Sequence, residues 1–513
     1  MNYKKNNMYW IERNRDAILI FMVSFFFAIS ANHANIQVTH LMYGSSDDIL
    51  FGSTLNSPDN SWYLNQIKYF MNGFGFTIDP LDPIYAVRRT PGYPIFYGLH
   101  YIILGESGAH KFIPYTQTFL HSIASVYLYR TAALIFADRK IVFWSGFLYG
   151  ISPLVISYLF MTITESIFPA IVIFQIYLSV LCFKKASLKL ACYAGFILAV
   201  AVLVRPMSGL TLFFFISLGF YFKDITIQQI IKINGVFFIT FFIAMAPWVI
   251  RNYMVLNKFV PLETYYLNAS LGNQNIKSDA MHRWWSTWGS PKVLELHEKL
   301  VKDIDSGDPY ITINFFINNE VPAWVYKVKS KQHLKGLLIE YQSCILKNRE
   351  VNGGRRLRYL ENPLACEYKV SGGFDVFANA IKAKNPFHAY FVAPFFIRGG
   401  EYVFHSAIHS WRSLDDYRKN LIKFAIKGFA YVINIYLWLS SIAYLIFTKS
   451  QNKRLLLAIV PSVSFIFIIY NMHVEGRYLI GVYPFLYLMS TSFFFENFAP
   501  LINKKFFNNR INI

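Results

Sequence analysis

The chain has 513 residues, of which 55% are hydrophobic, 19% aromatic and only 15% charged; this excludes an ordinary soluble protein of its size and indicates a polytopic membrane protein. The formal net charge of +20 does not indicate nucleic acid, because the Lys and Arg residues lie largely in short loops between apolar runs, as the positive-inside rule predicts. The four cysteines, Cys182, Cys192, Cys344 and Cys366, have neither CxxC nor Cys/His spacing, so the sequence argues for no zinc site.

The first apolar run, 17–36, follows Lys4, Lys5, Arg13 and Arg15 and lacks a small-residue cleavage site, so it reads as a retained helix. A polar loop, 37–111, comes next. Two amphipathic stretches within it, 60–71 and 93–104, are shorter than the roughly twenty residues that span a bilayer and are expected to lie along its surface. Six longer apolar runs follow, at 112–136, 141–160, 166–183, 188–204, 207–222 and 233–250, and three more at 421–447, 455–470 and 478–498. With the first run, that makes about ten membrane helices. Placing the N-terminus in the cytoplasm makes every cytoplasmic connection basic: Arg139-Lys140, Lys184-Lys185 with Lys189, 223–232, Lys449 to Arg454, and the tail with Lys504, Lys505 and Arg510. The external turn after 141–160 carries Glu165 and no Lys or Arg, and the 37–111 loop then also lies outside.

Between these runs lies a mostly polar region, 251–420, with helical stretches at 291–304 and 321–346; long domains translocate regardless of charge, so it is expected outside. Residues 387–397 read as an interfacial helix, a re-entrant piece or part of a soluble core. Cys344 and Cys366 fall in this region and either pair, if it faces an oxidising compartment, or remain thiols. The resulting organisation is a transmembrane catalytic module at 1–250, a mainly α periplasmic domain at 251–420 and C-terminal membrane helices at 421–513, without internal repeats.

Residues 57–94 hold the chemistry. Asp59 opens the 60–71 stretch, where an Asp favours the helix N-cap. It also suits a general base that takes a proton from an acceptor hydroxyl or amine while a sugar leaves a phosphate carrier, since an inverting transfer with so good a leaving group needs one carboxylate, not two. Asp47, Asp48, Asp79 and Asp82 read as solvated loop. Arg88 and Arg89 precede Thr90-Pro91-Gly92-Tyr93-Pro94; a guanidinium fork suits phosphate oxygens, or it snorkels to lipid headgroups. Thr164-Glu165, Arg205, Arg251 and His473-Val474-Glu475-Gly476-Arg477-Tyr478 fall at the outer ends of apolar runs. Each alone reads as an interfacial anchor, but ionisable groups gathered at one depth are what a buried anionic headgroup requires.

In order along the chain, Asp59 with Tyr63, Arg89-Thr90-Pro91-Gly92-Tyr93-Pro94, Thr164-Glu165, Leu203-Val204-Arg205-Pro206, Pro247-Trp248 to Arg251-Asn252-Tyr253, Gly272-Asn273 and Arg477-Tyr478 resemble the GT-C superfamily of polyprenyl-phosphate-sugar-dependent glycosyltransferases, which includes protein O-mannosyltransferases and the lipid A aminoarabinose transferase. The resemblance spans 17–498. It implies the α-helical polytopic GT-C fold, a polyprenyl-phosphate-linked sugar donor, and a glycan, lipid or protein acceptor at the outer face of a bacterial inner membrane. It further implies that Asp59 is the base, that Arg89 and Arg477 help hold the carrier phosphate, and that Glu165 lines the cavity. With that fold, Arg205 is expected near the same phosphate, and Tyr63, Tyr93, Arg251, His473 and Tyr478 are expected to line the cavity. Two departures stand out. Asn60 follows Asp59 where many members have a second acid, which puts a divalent metal in doubt. The segment before Asp59 is longer than usual, which leaves Asp47 and Asp48 as alternative acids. The rival readings are a polysaccharide polymerase or ligase using a diphosphate-linked glycan, and a flippase or transporter for lipid-linked sugars, which would need charges deeper in the bundle.

Overall fold

The computed structural model describes residues 2–43, 50–51, 54–55, 59–80, 83–222, 224–263, 276–289, 293–308, 310–351, 364–404, 418, 420–470 and 476–500. Apart from one two-residue antiparallel pair, Leu50–Phe51 with Thr54–Leu55, the regular structure there is helical. Among the described residues, six helices are long and apolar enough to cross a membrane: Asn14–Leu41, Phe168–Lys185, Ile227–Leu256, Leu421–Phe447, Gln451–Tyr470 and Arg477–Phe498. Large apolar side chains on their outer faces, such as Ile239, Phe242 and Ile243, are more than half exposed, as lipid-facing residues are. The chain divides into two compact units, Met1–Thr264 with Phe404–Ser464 and Gly476–Ile513, and Tyr265–Val403 with Phe465–Glu475.

The first unit starts with α1 (Asn2–Tyr43), which packs against α3 (Gly92–Ile135) and α4 (Arg139–Gly150). Between α1 and α3 lies the short helix α2 (Asn60–Met71). At Gly105, α3 is broken by φ 69°, a left-handed value that a side chain opposes, so the 93–104 stretch and the apolar run after it form two arms of one bent helix. Asp138 caps α4, its carboxylate accepting the Lys140 amide at 2.7 Å. The apolar run 141–160 is helical only to Gly150. Past Pro153, whose ring removes an amide donor, a four-residue helix α5 (Pro153–Ile156) gives way to a buried irregular crossing through 163. Apolar composition did not reveal this break, because the crossing is buried in protein and stays as hydrophobic as a helix.

Next come α6 (Phe168–Lys185), α7 (Leu188–Val204), α8 (Leu212–Tyr221) and α9 (Ile227–Leu256). A capping box between Thr226 and Gln229 starts α9, and left-handed Asn257 ends it. Near the C-terminus come α16 (Leu421–Phe447) and α17 (Gln451–Tyr470), and α16 packs on α18 (Tyr483–Phe493), which follows a 3-10 turn at Gly476–Val482.

The second unit is built on helices α10 (Ile276–Ser286), α11 (Val293–Ser306), α12 (Ile311–Asn319), α13 (Lys331–Val351) and α14 (Ala365–Lys384). Its core gathers Trp284, Trp285, Trp288, Phe316, Phe374 and Phe377. Cys344 of α13 and Cys366 of α14 form a disulfide, with Cα atoms 5.8 Å apart. The 387–397 stretch is a π-helix, His388–Arg398, continued by α15 (Gly399–Val403). Arg398 is buried and donates to the carbonyls of Ile469 and Ser286.

Candidate active site

Asp59 stands at the N-cap position of α2, yet its side chain makes no capping bond. Its carboxylate turns instead to arginines distant in the chain. Arg477 Nη1 lies 2.5 Å from Oδ2, and Arg89 Nη2 lies 4.0 Å from Oδ1. A second carboxylate, Glu165 on the 3-10 turn Thr164–Ser166, meets Arg205 Nη1 at 2.8 Å and Arg477 Nε at 3.6 Å. Arg477 thus bridges the two acids. The resulting network of Arg89, Asp59, Arg477, Glu165 and Arg205 links the loop before α3, the crossing after α4, the end of α7 and the turn before α18. The network grades from half-open to buried: the Asp59 side chain is 20% exposed and that of Glu165 is 2% exposed.

Aromatic and polar side chains hold these groups in place. The Arg205 guanidinium lies 5.0 Å from the Tyr478 ring and Arg89 lies 5.8 Å from the Tyr63 ring, so the cations rest on π faces. Tyr63 packs edge-on against Tyr93 at 5.4 Å, and the Tyr93 hydroxyl donates to Gln117 at 2.9 Å. Gln117, which sits inside an apolar helix, also accepts from Ser166 and donates to the carbonyls of Leu159 and Met161. The buried crossing and the Glu165 turn therefore share one anchor. Burial favours the neutral form of Glu165, but the charges of Arg205 and Arg477 outweigh it, with help from the Thr164 hydroxyl 2.9 Å away, and hold the carboxyl below its ordinary range.

Arg251 is placed differently. Its guanidinium donates to the carbonyls of Ala86 at 2.7 Å and Phe76 at 2.5 Å and stacks on Trp248. It thus clamps the loop that leads to Arg88 and Arg89. His473, Asp47, Asp48, Asp82 and Gly272-Asn273 lie outside the described residues, while the Asp79 amide donates to Thr77 Oγ1 at 3.2 Å. The sequence did not single out Glu263. It is buried, and its Oε2 accepts the Thr90 amide at 3.3 Å. Burial pushes this carboxyl up, against the opposing charges of Arg89, Arg88 and Arg205 and the Thr90 amide. A lone acid in Pro261-Leu262-Glu263 gives no motif by which to find it.

A divalent cation does not fit this donor set. Asp59 and Glu165 are each engaged by guanidiniums, the neighbour of Asp59 is the amide Asn60, and among the described residues no three His, Cys, Asp or Glu side chains cluster as ligands. A separate cavity of about 1120 Å³, lined by apolar residues such as Phe27, Val38, Trp144, Ile433 and Tyr436, includes none of the network residues.

No family model and no curated protein matches the chain. Among solved structures it is similar to an oligosaccharyltransferase. That solved structure, the archaeal oligosaccharyltransferase AglB from Archaeoglobus fulgidus in complex with an inhibitory peptide and a dolichol-phosphate, gives a TM-score of 0.47 at 11% identity, with 98% of this chain and 53% of that one covered. The apo oligosaccharyltransferase of Archaeoglobus fulgidus gives 0.47 at 11%, covering 95% and 52%, and the form tethered to an acceptor peptide with an NVT sequon gives 0.36 at 13%, covering 93% and 56%. The chain spans about half the length of these proteins.

Proposed function

We propose that the chain is an integral membrane glycosyltransferase of the GT-C type that takes a sugar from a polyprenyl phosphate at the extracytoplasmic face and transfers it, with inversion, to a glycan, lipid or protein acceptor. The observation that carries this reading is Asp59 lying within ion-pair reach of Arg477 and Arg89, groups 418 and 30 residues away in the chain. A surface anchor has no need of such convergence. A site for an anionic headgroup does.

In this mechanism the donor phosphate takes over Arg89, Arg205 and Arg477, which releases Asp59 from its guanidinium partners. Asp59 then accepts the proton of the acceptor hydroxyl or amine while that atom bonds to the anomeric carbon from the side opposite the phosphate. The bond from the anomeric carbon to phosphate oxygen breaks, and the polyprenyl phosphate departs with both electrons. No acid is needed for the leaving group. Charge balance supports the scheme: Arg88, Arg89, Arg205 and Arg477 face Asp59, Glu165 and Glu263, leaving one positive charge for a phosphodiester monoanion. Tyr63, Tyr93 and Tyr478 supply the aromatic walls, and Arg251 braces the loop. The disulfide supports an oxidising compartment for the second unit; in this reading that compartment is the periplasmic side of a bacterial inner membrane, and the basic connections between apolar runs argue for cytoplasmic termini. Asp59→Asn tests the assignment: a transferase loses turnover but keeps donor binding, whereas a lipid transporter keeps its activity.

A further inference from the structure

Glu263 is a buried carboxyl that enters the charge balance of the transfer scheme but takes no part in its bond-making or proton-transfer steps. It lies just after α9, is 2% exposed, and fixes the arm 86–92 through the Thr90 amide. The same arm has three other ties. Arg251 donates to the Ala86 carbonyl, Gln66 Nε2 donates to the Arg89 carbonyl at 3.3 Å, and Gly92 sits so close to the end of α7 that a Cβ would fall 2.6 Å from Leu203 and Val204. Glu263 differs from these in bringing a negative charge to the arm. A glutamine would accept the Thr90 amide equally well without the cost of burying an ion. The carboxylate accepts the amide of the residue that directly follows Arg88 and Arg89, and the charges of these two and of Arg205 oppose its neutralisation by burial.

We propose that Glu263 is a positioning residue with a second role as counter-charge: its contact with Thr90 fixes the Arg88–Arg89 arm, and its charge lowers the arm's hold on phosphate enough for the polyprenyl phosphate product to leave. This rests on reading the arginines as ligands of the donor phosphate. A site with one surplus positive charge binds the donor monoanion, whereas loss of Glu263 raises the surplus to two and traps the anionic product.

The test titrates the full chain, in lipid nanodiscs, with a polyprenyl phosphate carrying no sugar, and with the matching polyprenol as the uncharged control. Glu263→Gln keeps an acceptor for Thr90 and removes the charge; it should bind the phosphate roughly fivefold more tightly than the wild type, with polyprenol binding unchanged. Glu263→Ala also loses the acceptor and should bind more weakly than Glu263→Gln. The double variant Glu263→Gln/Arg88→Gln restores the charge count and should return to wild-type affinity, a reversal that a purely structural role would not produce and one that can be measured even if Glu263→Gln alone does not fold. Equal or weaker phosphate binding by Glu263→Gln, or a double variant that departs from the wild type, overturns the proposal. A wild-type chain that does not prefer the phosphate to the polyprenol overturns the donor assignment itself.

Discussion

At the scale of single residues, the network's stability rests on matching buried charges. Glu165 and Arg205 are both nearly inaccessible, so neutralising one strands the other in a low-dielectric setting. Glu165→Gln is expected to cost about 3–5 kcal/mol, measured by denaturant or thermal unfolding in detergent. Its pH dependence has a definite sign. The Glu165 carboxyl is held below its ordinary value in the fold, so its stabilisation is complete above the unfolded value of about 4.3 and is lost as the pH falls through the lower folded value. Glu165→Gln should therefore flatten the acid limb of the stability profile; an unchanged limb would show that the pair contributes nothing. Glu263 runs the other way, since a carboxyl pushed up by burial costs stability at neutral pH and less as the pH drops.

At the scale of elements, the site depends on how closely the arm before α3 approaches α7. Gly92 is the point of nearest approach. Gly92→Ala should push the arm outward, costing about 1–3 kcal/mol of stability and weakening the Arg89 contact with Asp59, which is already 4.0 Å long. Melting temperature and donor binding read the two effects separately; a variant with unaltered binding would mean that the arm does not position the phosphate. Much of this was legible in the sequence. Glu165, Arg205 and Arg477 were marked by charges at the ends of apolar runs, Asp59 by its place opening the 60–71 stretch and Arg89 by the Pro-Gly-Tyr-Pro turn after it, and the structure brings these five together. Glu263 carried no such mark, because its neighbours come from tertiary packing and its own segment is an ordinary loop. The end of helix at Gly150 was hidden for the same reason: a buried irregular crossing and a membrane helix have the same composition.

At the scale of the whole molecule, each unit has its own means of stability. The second unit relies on a tryptophan-rich core and on the Cys344–Cys366 disulfide, which ties α13 to α14 across a sequence separation of 22. Cys344→Ser should lower its stability by about 3 kcal/mol, seen as an earlier transition in tryptophan fluorescence, since Trp284, Trp285 and Trp288 lie in that core. Absence of any shift would show that the core holds the unit unaided. The first unit carries the transfer chemistry in this account, and everything in it converges on Asp59. The most direct measurement compares surface glycans by mass spectrometry in cells carrying the wild-type chain, Asp59→Asn or no chain, alongside binding of a polyprenyl phosphate to both purified proteins. The account predicts that the Asp59→Asn glycans match those of cells without the chain, through a rate loss of about 10²–10⁴-fold, while the variant still binds the phosphate. Wild-type glycans from Asp59→Asn cells would contradict it.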